Sequence, residues 1–148
     1  MRQRIVWCVL VTLALGVAGQ VLARQSEDDK ALKEDLKKLQ GKWEYTFDAG
    51  DLKGLRKVKE IKGNTERVSW YTPDGKLFCV NKVEFKLQKQ GDDRVFSWFN
   101  GTVTEGEGKG TAFADGSFVY RLEGDRWIES GSDGQAREWK RVKDGDKK

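Results

Sequence analysis

The chain has 148 residues, with 28 Lys and Arg against 24 Asp and Glu, no histidine and two cysteines. Without histidine, Ser-His-Asp and Cys-His catalysis and His-ligated zinc are excluded within one chain. Lys and Arg alternate with Asp and Glu rather than forming one basic block, which argues against nucleic acid as a partner.

Met1-Arg2-Gln3-Arg4 is a short cationic start, and residues 5–18 are almost wholly apolar. Val21-Leu22-Ala23 then offers the residue types a signal peptidase reads, and residues 24–29 turn abruptly polar. That order predicts a cleavable export leader ending at Ala23. The apolar stretch barely reaches the roughly 20 residues of a spanning helix, so no membrane anchor is expected after cleavage. The mature protein is therefore expected in the periplasm, at the cell surface or in the medium. The expected organisation is a leader (1–23), a linker and helix (24–40), one β domain (41–143) and a charged tail (144–148). Cleavage also removes Cys8, so Cys79 stands alone and no disulfide can form within the chain. Cys79 sits in the alternating run Leu77, Cys79, Asn81, Val83, Phe85, Leu87 and reads as a small buried apolar residue.

Leu32, Leu36 and Leu39 recur at helical spacing, Lys37 and Lys38 suit a helix C-terminus, and Gly41 is a stop signal. Period-two alternation follows. Trp43, Tyr45 and Phe47 share one face of a first strand, with further strands expected at 55–61 and 67–71. Thr72-Pro73-Asp74-Gly75 is a turn. A long strand at 76–88, bent near Asn81, leads to a strand at 94–100, and the glycine-rich residues 101–110 read as a loop. Short strands at 111–113, 117–123, 127–129 and 137–143 complete the chain, with Asp115-Gly116 as a hairpin turn. Hairpin connections and no crossover helix predict an all-β, antiparallel up-and-down barrel of about eight strands with one short N-terminal helix.

Leu39-Gln40-Gly41-Lys42-Trp43 places Gly-x-Trp after a short helix and resembles the opening motif of lipocalin-type barrels. Tyr120-Arg121-Leu122-Glu123-Gly124-Asp125 and Lys140-Arg141-Val142 resemble the penultimate turn and the ending of a family of small exported planctomycetal proteins with the same opening. The resemblance implies a lipocalin-like fold and no particular reaction. In a closed barrel the first and last strands are neighbours. Trp43 is thus expected to close one end beneath an arginine of the last strand, Arg141 first and Arg137 second, as a cation–π pair.

Candidate chemistry is sparse. Gly106 to Thr111 fails the phosphate-loop pattern because Gly110 separates Lys109 from Thr111. Glu105 and Glu107 have no apolar setting to raise their pKa. Tryptophans 43, 70, 98 and 127 are almost evenly spaced, three of them shortly after an acidic-Arg pair, and no function is assigned to that spacing. No cofactor or metal is expected, and nothing favours an enzyme. Two readings remain. One is a binding module for a small, partly apolar molecule, its cavity lined by Tyr45, Phe47, Trp70, Phe85, Trp98, Phe113 and Tyr120. The other is a non-catalytic structural or interaction module whose interior is filled by side chains.

Overall fold

From Trp43 onward the side-chain period is two, and the chain accordingly folds as strands. The structure is a computed structural model that describes residues 25–131 and 134–143. The expected leader and the charged tail lie outside the described residues. Residues 25–34, the described part of a first compact unit, are helical. The second unit, Asp35–Lys148, opens with helical residues 35–39. It continues as β1 (Gly41–Thr46), β2 (Arg56–Lys62), β3 (Thr65–Tyr71), β4 (Leu77–Gln90), β5 (Asp93–Gly106), β6 (Ala112–Phe113), β7 (Gly116–Glu123), β8 (Arg126–Ser130) and β9 (Ala136–Arg141).

Every pairing is antiparallel, in the order β4-β3-β2-β1-β9-β8-β7-β5, and a β4–β5 ladder joins the two ends. Eight strands therefore close into a barrel, which leaves no long edge unpaired. The two-residue β6 pairs only with β5. The seam between first and last strands is short: Trp43 faces Arg141 and Glu44 faces Lys140.

One expected boundary is corrected. Residues 101–106, read as part of a loop from their glycines, extend β5 along β4 as far as Gly106, which lies opposite Cys79. Glycine is required at that end. Gly106 has φ +78°, and a Cβ there would overlap the Phe78 carbonyl oxygen and lie 2.8 Å from the Cys79 Cα. Weak strand propensity is overridden because the long partner strand offers the ladder anyway. The bend foreseen near Asn81 coincides with a register shift between Val80 and Asn81.

Inward-facing residues on β2 are Lys57, Lys59 and Ile61 in turn, so the interior changes character along the barrel. Around Ile61 it is apolar and full: Leu39, Trp43, Phe85, Phe96, Tyr120, Trp127 and Trp139 pack with it. Gly41, at φ +107°, lets the chain turn out of the helix into β1. The Trp43 indole N–H donates to the Leu39 carbonyl at 2.8 Å, and the Arg141 guanidinium carbon lies 4.1 Å from the Trp43 ring centroid. Arg141 also donates to the Gln40 carbonyl at 2.9 Å and to the Lys38 carbonyl, satisfying groups a helix end leaves open. Asp35, 2% exposed, accepts from Arg94 at 2.7 Å and from the Tyr120 hydroxyl at 2.9 Å. Segment 35–39 thereby plugs the base.

Candidate functional site

Above the packed base the barrel is not full. A cavity of ≈ 220 Å³ is lined by residues of β2, β3, β4, β5, β6, β7, β8 and β9. Alternation explains how its lining is supplied. Glu66, Val68 and Trp70 share one parity on β3, as do Glu129 with Trp127 on β8 and Arg137 with Trp139 on β9. Each places a charged side chain on the same inward face as an aromatic.

The cavity floor is a buried ionic cluster. Lys59 is 3% exposed, Glu129 6% and Glu66 7%. The Lys59 ammonium donates to a Glu129 carboxylate oxygen and lies 3.2 Å from Glu66 Oε2. Its Nζ also stands 4.3 Å from the Trp127 ring centroid and 4.2 Å from that of Trp139. Burial opposes the ammonium, yet the two carboxylates outweigh it, so Lys59 is held above the usual lysine range and stays charged. Burial, reinforced by the charge of Glu129, raises the Glu66 carboxyl even though Lys59 pulls it down. Two carboxylates thus share one cation in a low-dielectric setting, where each buried charge needs a partner.

One layer above, Lys57 Nζ lies 3.6 Å from the Trp70 ring centroid and 5.0 Å from that of Phe47. Among the described residues it has no ion-pair partner. Burial chiefly, then repulsion from Lys59 and Arg137, lowers its pKa to about 8, with Glu129 and Glu66 pulling the other way. Two indole N–H groups around this space, Trp70 Nε1 and Trp139 Nε1, are buried without a hydrogen-bond partner, while Glu66 Oε2 is met by Lys59 alone at 3.2 Å. The Trp98 indole, by contrast, donates to the Ala114 carbonyl at 3.2 Å.

The aromatic residues expected to line a cavity divide into three groups. Trp70, Trp98 and Phe113 line it. Tyr45 and Phe47 pack on one another, ring centroids 4.9 Å apart, with Phe47 beside Trp70 and Tyr45 beside Trp139 rather than on the cavity wall. Phe85 and Tyr120 are placed in the filled base, Phe85 stacked on Phe96 at 4.3 Å and Tyr120 bonded to Asp35. The reason is the helix plug, which occupies the end of the barrel where those two point. Arg137 lines the cavity and only Arg141 lies over Trp43. The spaced tryptophans share no common role: Trp43 and Trp127 contact in the base, while Trp70 and Trp98 line the cavity.

Lys57, Lys59, Glu66 and Glu129 were not anticipated. Their signal was present in the sequence, as charged residues in register with core aromatics, but alternation alone does not say whether a face turns inward. Among the described residues no group of three His, Cys, Asp or Glu side chains could hold a metal ion. Cys79 is buried, its thiol pushed up by burial and by Glu107. No family model, curated protein or solved structure matches the chain.

Proposed function

We propose that this protein is an exported, lipocalin-like binding module whose barrel takes up a small, partly apolar molecule. The observation that carries the reading is the asymmetric interior. One end is packed solid around Trp43, while the other holds a cavity of ≈ 220 Å³ walled by Trp70, Trp98, Phe113 and Phe118. That space equals about seven water molecules at liquid volume, so it suits a ligand smaller than the drug-sized molecules of typical 300–1,000 Å³ pockets. A barrel serving only as a filled scaffold has no need of that space. The leader expected at residues 1–23 fits the same role, since a carrier outside the cytoplasm would meet its ligand there.

The test is native mass spectrometry of the purified protein after incubation with a metabolite and lipid extract. A discrete small-molecule adduct is expected. Val83→Phe, which fills the cavity from β4, should remove the adduct while the circular dichroism spectrum stays that of a β protein. Absence of any adduct with the unaltered protein would favour the filled-scaffold role instead.

A further inference from the structure

We propose that the cavity recognises a small aromatic carboxylate, with the anion held by the Lys57 ammonium and the ring against Trp98 and Phe118; this rests on the binding-module reading. The cavity wall carries the ammonium groups of Lys57 and Lys59 and the carboxylates of Glu66 and Glu129. Both carboxylates lie against Lys59. Lys57 has aromatic faces against it and, among the described residues, no carboxylate within ion-pair distance, Glu66 and Glu129 acting on it only from further off. An ammonium in such a setting is stabilised by an added anion, because a charge out of water needs a counter-charge.

Hydrogen bonding points the same way. Trp70 and Trp139 each keep a buried indole N–H without an acceptor. Indole can only donate, so the missing partner is an acceptor. Such donors are ordinarily satisfied in a folded protein, and a carboxylate brings two acceptor oxygens. The remaining walls, Trp98, Phe113 and Phe118, offer ring faces and edges to a flat apolar body. A cationic ligand is disfavoured because Lys57 already occupies the face of Trp70.

Benzoate, benzamide and benzylamine share one ring and differ in charge, and they make suitable probes for calorimetric titration of the purified protein. Benzoate should bind about tenfold more tightly than benzamide, and benzylamine least. Lys57→Met should abolish the preference for benzoate while benzamide still binds, and Lys57→Arg should keep it. The charged groups facing Lys57 are Lys59 on its own strand, Glu66 on β3, Glu129 on β8 and Arg137 on β9. With the Lys57 pKa about 8, its ammonium is lost as pH rises through that value, so benzoate affinity should fall there and benzamide affinity should not. Near pH 8 benzoate binding should also take up protons, seen as a dependence of the heat on buffer ionisation enthalpy that Lys57→Met removes. Benzamide binding as tightly as benzoate, or a preference that survives Lys57→Met, would overturn the anion assignment and leave the binding module standing. Failure of all three probes to bind would overturn the aromatic-carboxylate assignment, whereas the binding module itself falls only if the extract also leaves no adduct.

Discussion

Replacing Lys59 by Met isolates the energetic cost of the buried cluster. Methionine keeps most of the stem volume, so the change removes a charge rather than opening a large hole. It leaves Glu129 and Glu66, 6% and 7% exposed, without the cation they share. Removing one partner of a buried ion pair costs about 3–5 kcal/mol, because the remaining charge is desolvated and uncompensated. The lost contacts of the ammonium with Trp127 and Trp139 act in the same direction. The loss is comparable with the lower part of the roughly 5–15 kcal/mol that stabilises a domain of this size. The pH dependence has a definite sign. In the unaltered protein burial already raises the Glu66 carboxyl, and without Lys59 it rises further. A carboxyl whose folded pKa exceeds its unfolded value binds more protons when folded, so the variant loses stability as pH rises above about 4.5. The penalty should therefore be larger at pH 7 than at pH 5. Urea unfolding followed by tryptophan fluorescence at both pH values measures it. The triple change Lys59→Met, Glu66→Gln, Glu129→Gln should recover part of the loss by removing the stranded charges. A penalty below about 1 kcal/mol at pH 7, the scale of an exposed pair, would refute the reasoning. So would a penalty that does not shrink at pH 5.

Two further outcomes concern the frame around the cavity. Trp43→Ala should cost about 3–5 kcal/mol, the range for emptying a buried large aromatic site. Arg141→Ala should cost less, and a double-mutant cycle in urea should give a coupling energy of about 0.5–2 kcal/mol, the scale of a cation–π contact. Strict additivity would mean that the 4.1 Å approach contributes nothing. Gly106→Ala should destabilise by about 1–3 kcal/mol, since φ +78° strains any side chain and a Cβ meets the Phe78 carbonyl. Thermal melts by circular dichroism check this, and an unchanged midpoint would show that β5 does not run to Gly106.

Much of the architecture is legible in the sequence because it rests on local rules. Period-two alternation from Trp43, turn residues at 72–75 and 115–116, and the absence of crossover helices suffice for an antiparallel meander, and a meander of this length closes. The helix, its stop at Gly41 and the entry of Trp43 into the first strand are local as well. Residues 101–106 escaped because glycine content argues for a loop, whereas β4 supplies a ladder partner that only the folded chain brings near. The site is another matter. Alternation assigns Lys57 and Lys59 to the face of Ile61, Glu66 to that of Trp70, and Glu129 to that of Trp127, but it cannot say that charged residues on three strands converge. That depends on closure, on register, and on which end the 35–39 segment plugs. The plug directs Phe85 and Tyr120 into a solid base and leaves Trp70, Trp98 and Phe113 around open space. Pairing of charges within a low-dielectric interior is a property of three-dimensional distance, and strands 70 residues apart in sequence, as Lys59 and Glu129 are, meet only in the closed barrel.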